Sequence, residues 1–355
     1  MHAYQTHILK EMTCEPTRLD FEQIVYHRTT YPSNQSFHSV RKMEAGAWGE
    51  TLVSEYLEKY GKKDWIMIRN IWLNYSGPFE GDMVLLTHHA AYLIEVKNYQ
   101  TDYSYDNGVS KWNDNSHSGN PINQTIRNKI NLENIFRNVR VQGVLMLVGV
   151  DSHVEIHSEL SEIEIVQRAS LRHFIQKLVE IDDRYTGQPI NPKKVLRQLE
   201  QYEIYPLQRP RALSDQDIHQ LRKGVCCLNC KSYDVAIGRK EVTCLCGCVE
   251  QRELAILRTI CDYGVLAFDR HLRIGKLLHF LGGQIGRKSL QNVLRKYFKE
   301  VKNGKYSYFV NLKLPYYKLY ELLKIDSTVR LEMSHQDYEN MRSKLRYYDS
   351  QWGRR

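Results

Sequence analysis

The chain has 355 residues, 42% of them hydrophobic, and a formal net charge of +9 from 50 basic and 41 acidic side chains. That length exceeds one ordinary hydrophobic core and predicts two or three domains. The longest apolar run lies near Val144–Val148, far short of a membrane span, and the first residues lack the apolar stretch of a secretory signal. A cytoplasmic protein that does not engage a membrane is expected.

Residues 1–41 read as a polar N-terminal extension, with a short helix over Leu19–Val25 and a turn at Tyr31-Pro32-Ser33-Asn34. The pattern sharpens in residues 42–155. Gly49-Glu50 leads into Leu52, Val53, Tyr56, Leu57 and Tyr60, an apolar stripe at helical spacing with Glu50 at its edge. Trp65–Ile68 and Ile71–Leu73 read as strands. Two further apolar runs form a hairpin, Gly81-Asp82-Met83-Val84-Leu85-Leu86 and Tyr92-Leu93-Ile94-Glu95-Val96-Lys97, with Asp82 expected at a strand start. Alternation puts Glu95 and Lys97 on one face and Val96 on the other. An acidic and a basic residue two apart is ordinary on a solvated strand. Here Leu85, Leu93, Ile94 and Val96 make both strands read as buried, and charges at such positions are costly unless they bind something.

Residues 98–121 read as a long polar loop, broken at Asn107-Gly108 and ending in Gly119-Asn120-Pro121. A helix is expected from about Ile122 to Val139, with Gln124, Arg127, Asn128 and Asn131 sharing a polar face. Val144–Val148 reads as a strand. Residues 156–215 read as a helical accessory region and linker. In residues 222–250, Cys227 and Cys230 form one short knuckle, and 13 residues separate Cys230 from Cys244-Leu245-Cys246-Gly247-Cys248. Clustered cysteines without a secretory signal favour metal over disulfides, and this spacing fits a structural zinc ribbon. Cys227, Cys230, Cys244 and Cys246 are the expected ligands, with Cys248 as the alternative to Cys246.

Residues 251–312 carry 12 Lys/Arg against 4 Asp/Glu, almost the whole positive excess of the chain. Helical patterns over 252–262, 270–281 and 287–299, then a hairpin after Asn303-Gly304, resemble a small winged helix-turn-helix. On the third helix Leu290, Val293, Leu294, Tyr297, Phe298 and Val301 form an apolar stripe. Lys288, Asn292, Arg295 and Lys299 lie opposite, as on a helix that faces DNA. Residues 313–355 read as a helical tail.

Residues 42–150 resemble the nuclease-related domain (NERD), a branch of the PD-(D/E)xK nuclease superfamily. Four ordered elements carry the resemblance: Gly49-Glu50, Gly81-Asp82, Ile94-Glu95-Val96-Lys97-Asn98, and Asn120-Pro121-Ile122-Asn123-Gln124. Trp112 also falls where that family tends to carry a tryptophan. The resemblance implies a restriction-endonuclease-like α/β fold, a mixed sheet flanked by helices, and metal-dependent hydrolysis of DNA. Asp82 and Glu95 would hold Mg²⁺ or Mn²⁺, and Glu50 would complete the site. Lys97 would orient or deprotonate the attacking water or stabilise the transition state. Gln124 would position Lys97 or a phosphate, and Arg127 would contact the DNA backbone. The competing reading is a non-catalytic DNA-binding protein with a vestigial nuclease fold. No motif for a small-molecule substrate occurs, and a homo-oligomer is compatible with the sequence.

Overall fold

The computed structural model describes residues 5–7, 16–113, 115–116, 119–150, 153–157, 161–204, 210–268 and 270–311. The expected C-terminal tail lies outside them, as does Cys14, an isolated cysteine that the sequence leaves as an ordinary thiol. The chain divides into two compact units, one of residues 1–11 and 42–206, the other of residues 12–41 and 207–355.

The chain opens with β1 (Gln5–His7) and the helices α1 (Arg18–Arg28) and α2 (Asn34–Tyr60). The boundary between the units falls inside α2. Then come β2 (Ile66–Asn74), β3 (Pro78–Leu86) and β4 (Ala91–Lys97). The two short runs expected before the hairpin are thus one strand, and Asp82 lies within β3 rather than at its start. Next are β5 (Tyr103–Asp106), β6 (Val109–Trp112), β7 (Asn115–Ser116), α3 (Pro121–Ile135), β8 (Val141–Leu147), β9 (Val154–Ile156) and β10 (Ile163–Gln167). The helices α4 (Leu171–Arg184) and α5 (Pro192–Leu199) follow.

The first unit is built on a mixed six-stranded sheet in the order β1-β2-β3-β4-β8-β10. β2, β3 and β4 run antiparallel in sequence, whereas β8 joins β4, and β10 joins β8, in parallel. One face packs Met83, Ile94 and Val96 under Val53 and Leu57 of α2 and Phe174 and Leu178 of α4. The other packs Val84, Leu93 and Ile71 under Leu132 of α3 and Leu196 of α5. Residues 156–215, expected as an accessory region, therefore supply an edge strand and one helix to each layer. The expected loop 98–121 is instead mostly a hairpin in a second, four-stranded sheet, β7-β6-β5-β9. Its turn is Asn107-Gly108, both at positive φ (45° and 87°), a pair suited to a tight hairpin.

The second unit adds α6 (Asp215–Gln220), β11 (Val235–Ile237), β12 (Glu241–Cys244), β13 (Val249–Gln251), α7 (Arg252–Leu266), α8 (Ile274–Phe280), α9 (Arg287–Tyr297), β14 (Lys299–Val301) and β15 (Tyr308–Val310). Three helices followed by a hairpin have the layout of a winged helix-turn-helix. Leu272 adds a bridge to Phe309 of β15. Residues 1–41 do not behave as a detached extension, because α1 packs on α7. Arg28, 1% exposed, donates to Asp262 at 2.7 Å and to the carbonyl oxygens of Arg222 and Gly224. The three-stranded sheet β11-β12-β13 is not a separate domain either. Val242 is buried in the winged-helix core, and Val235 and Ile237 pack against it.

Candidate active site and cysteine centre

The hydrophobic pattern of β2 and β3 changes face at one level of the sheet. In β2, Ile66 and Ile68 face the α3 layer, and then Ile71 and Leu73 do. In β3, Val84 and Leu86 face that layer, whereas beyond the change it is Phe79. Register is kept, with Ile68 opposite Val84 and Ile71 opposite Gly81, so both strands slip together. The slip falls at Asn70, which has φ +50°, and Asp82. It re-aims side chains without breaking the sheet, as bulges do.

At the same level β3 and β4 part. Their ladder ends at Met83 opposite Ile94, while β4 stays paired with β8 as far as Lys97 opposite Leu147. Asp82 fills the gap, where its Oδ2 accepts from the Val96 backbone N–H at 2.7 Å. Glu95 is 1% exposed. Its Oε1 accepts from Lys97 Nζ and, at 2.7 Å, from Gln124 Nε2. Gln124 thus reaches Glu95 and not Lys97. Asn120 caps α3 by accepting from the N–H groups of Ile122 and Asn123, and Pro121 occupies the first turn, so the helix start that aims Gln124 is set locally.

Glu50 comes from α2 on the opposite layer. Gly49 allows the approach: a Cβ there would meet Asn98 Cβ at 3.0 Å and Val148 Cγ2 at 3.1 Å. Asn98 Nδ2 donates to the Ala45 carbonyl at 2.8 Å and fastens α2 to the end of β4. Burial and the nearby charge of Asp82 push the Glu50 carboxyl up to about 7, against the pull of Arg69. Glu95 is also pushed up to about 7, by burial and then Asp82, against the pull of Lys97. Burial raises Asp82 as well. Lys97 moves the other way from a simple buried amine: burial lowers it, but Glu95 and Asp82 outweigh that and hold it protonated.

Two residues of this centre escaped the sequence reading. Glu80, two residues before Asp82, is raised by burial and by Asp82 and acts electrostatically on Glu50 and Glu95. Its carbonyl oxygen accepts from Asn128 of α3 at 2.7 Å. Tyr99, just after Lys97, is raised by burial and feels Lys97, Glu95 and Asp82, and its ring lies 3.8 Å from that of Trp112. The sequence Glu80-Gly81-Asp82 was the available signal for the first. Arg127 lies exposed on α3, one turn beyond Gln124. The expected polar face of that helix is turned inward in part, since Asn128 is buried.

One observation tests whether a cation suits this centre. Glu95 Oε2 is buried and has no hydrogen-bond partner, although Oε1 has two. Asp82 and Glu80 act on Glu95 electrostatically, and carboxylate oxygens suit a hard divalent ion.

In the second unit, the thiols of Cys227, Cys230, Cys244 and Cys246 all lie within 4.8 Å of one another. Cys227 and Cys246 are 3.5 Å apart, as are Cys230 and Cys244. Among the described residues this is the only group of three or more metal-type side chains gathered so closely. The first knuckle is shaped for thiolate, with the Asn229 N–H donating to Cys227 Sγ at 3.3 Å. Cys248 is outside the group, and its carbonyl accepts from Cys244 N–H. Cys226 is buried and receives the guanidinium of Arg258.

On α9, Leu290, Val293, Leu294 and Tyr297 are buried, while Lys288, Asn292 and Arg295 are exposed. The helix ends at Tyr297. Lys299 and Val301, expected on it, belong to β14, because Phe298 is already extended. Arg295 pairs with Glu300 at 3.3 Å.

A mixed sheet between two helical layers, opened at one end around Asp82, Glu95 and Lys97, defines an α/β domain. Residues 45–148 match the family model of the nuclease-related domain (NERD). No curated protein and no solved structure matches the chain. No helix among the described residues is long and apolar enough to cross a membrane.

Proposed function

We propose that the first unit is a divalent-metal-dependent nuclease that hydrolyses phosphodiester bonds in DNA. The observation that carries this reading is Glu95, a buried carboxylate with one oxygen held by Lys97 and Gln124 and the other unpartnered beside Asp82. Burying such an oxygen without a partner is unfavourable, and a cation offsets that cost. Asp82 and Glu95 would hold Mg²⁺ or Mn²⁺, with Glu50 completing the site. Magnesium commonly binds through one or two carboxylates and fills its remaining positions with water and phosphate. Such an ion, when bound, activates a water and neutralises charge on the phosphodiester.

The protein's own groups divide the rest of the work. Lys97 is held protonated by Glu95 and Asp82. In that state its role would be to stabilise charge on the phosphate. Gln124 fixes the rotamer of Glu95. Glu50, raised to about 7 by burial and Asp82, would be held ionised by a bound cation. In the second unit, Cys227, Cys230, Cys244 and Cys246 would hold a structural zinc, four thiolates leaving no open position for catalysis. Lys288, Asn292 and Arg295 of α9, with Lys299 beside it, would contact DNA, and Arg127 would meet the backbone at the nuclease unit.

The test is cleavage of linear and circular plasmid by purified protein with Mg²⁺ or Mn²⁺, alongside Asp82→Ala and Lys97→Ala. Cutting by wild type alone is expected. Equal cutting by Asp82→Ala refutes the assignment, and DNA binding without cutting by any form favours the non-catalytic alternative.

A further inference from the structure

We infer that the crevice between the β11–β12 turn and α9 is a second DNA contact, which grips the phosphate backbone beside the groove that α9 faces. This rests on the reading of the second unit as DNA-binding, and it extends the expected contact face of α9 through Asn292 to the β11–β12 turn.

The crevice has a volume of about 470 Å³. Arg239 and Lys240 come from the hairpin turn, Arg252 from the start of α7, and Ser289 and Asn292 from α9. Asn292 therefore belongs both to the exposed face of α9 and to the wall of the crevice. Arg239 and Lys240 are exposed, whereas the Nε of Arg252 is buried without a hydrogen-bond partner. Two acids also line the space, Glu241 and Glu253. Glu253 is already engaged by Lys296 Nζ and Tyr297 Oη, so the cations are in surplus.

The turn is held rigidly against the helices. The Arg252 N–H donates to the Lys240 carbonyl at 2.8 Å. Behind the hairpin, Arg258 of α7 forms a buried pair with Glu250 of β13 at 2.8 Å and donates to the Cys226 carbonyl at 2.7 Å. Preset cations beside a groove-facing helix suit phosphates, which position a duplex without reading its sequence.

The test is binding of a short labelled duplex by the full, zinc-loaded chain without added magnesium, over a range of salt. Arg239→Ala/Lys240→Ala is compared with Lys288→Ala/Arg295→Ala and with the charge-preserving Arg239→Lys/Lys240→Arg. Zinc content and circular dichroism verify folding. If both cations meet phosphates, the alanine pair binds on the order of tenfold more weakly at moderate salt. The slope of log K against log salt becomes shallower by about 2, for all sequences alike. The charge-preserving pair keeps wild-type binding. An alanine pair with wild-type affinity and slope, while the α9 variant is weakened, overturns this inference alone. Equal loss in the charge-preserving pair also overturns it, since turn shape rather than charge would then matter. If neither the turn nor the α9 variant changes binding, the DNA-binding reading of the whole unit fails.

Discussion

Glu95→Gln separates the stability role of the central carboxylate from its chemical one. Glutamine has the same shape and keeps an oxygen for Lys97 and Gln124, while removing the charge from the unpartnered Oε2. The Glu95 pKa stands at about 7 in the fold against 4.5 for the free side chain. The native state therefore holds a proton that the unfolded chain releases over that interval. A raised carboxyl contributes stability that is fully present below the unfolded value and is lost as pH rises through the folded one. At about 1.4 kcal/mol per pH unit, Glu95 alone removes on the order of 2 kcal/mol between about pH 5 and about pH 8. Because the group is 1% exposed, solvent screening does not erase the effect.

Urea unfolding at several pH values, followed by tryptophan fluorescence, measures this. Four of the five tryptophans, Trp48, Trp65, Trp72 and Trp112, lie in the first unit and only Trp352 in the second, so the signal is dominated by the first unit. Without magnesium, wild type is expected to lose stability from about pH 5 to about pH 8, and Glu95→Gln to lose on the order of 2 kcal/mol less. Saturating magnesium at the higher pH should stabilise wild type by about 2.7 kcal/mol at a hundred times its dissociation constant, and the variant by much less. Cleavage should be abolished in the variant at every pH. A variant that keeps the wild-type pH slope, or gains equally from magnesium, refutes the account of Glu95.

Other changes are expected to be equally selective. Cys248→Ser should keep one zinc per chain and Cys246→Ser should lose it, as read by metal analysis; the reverse pattern would exchange their roles. Glu250→Ala leaves the Arg258 guanidinium buried without its counter-ion. It should destabilise the second unit by roughly 3–5 kcal/mol, measured by thermal unfolding, whereas Glu241→Ala on the exposed side of the same sheet should be near neutral. Asp182→Asn should weaken the first unit by roughly 2–4 kcal/mol, since Asp182 accepts from Trp65, Lys62, His88 and His89. Burial raises Asp182, but those donors outweigh it and hold its pKa low. Its contribution is thus present above the ordinary aspartate value and fades as pH falls below it, so wild type and variant should converge in acid.

The order of the site residues was legible because each sits in a strong local pattern: Asp82 and Glu95 within apolar strands, Gln124 just after a proline-started helix. The hairpin over Tyr103–Trp112 was not, despite Asn107-Gly108, because the polar stretch around it masked the alternation of Tyr103 and Tyr105. The end of α9 was not. Val293, Leu294, Tyr297, Phe298 and Val301 continue a helical period through a point where the backbone has already become extended. Nor was the sharing of one core by the cysteine hairpin and the winged helix. Val235, Ile237 and Val242 have the alternation of any small hairpin, and alternation says that a face is buried without saying against what.

Glu80 shows why a strand-by-strand reading stops short of the site. Regular alternation from Val84 and Leu86 would put Asp82 and Glu80 together on the α3 side. The joint slip at Asn70 and Asp82 moves Phe79 and Gly81 to that side instead, and so turns Glu80 toward α2, where Glu50 lies. A backbone slip of this kind leaves register intact, so it has no signature in either strand alone. Its consequence is chemical. Carboxylates from both layers act on one another electrostatically where β3 and β4 part, although Glu80 itself stays exposed. Lys97 is the cation that offsets this acidity, held between Glu95 and Asp82.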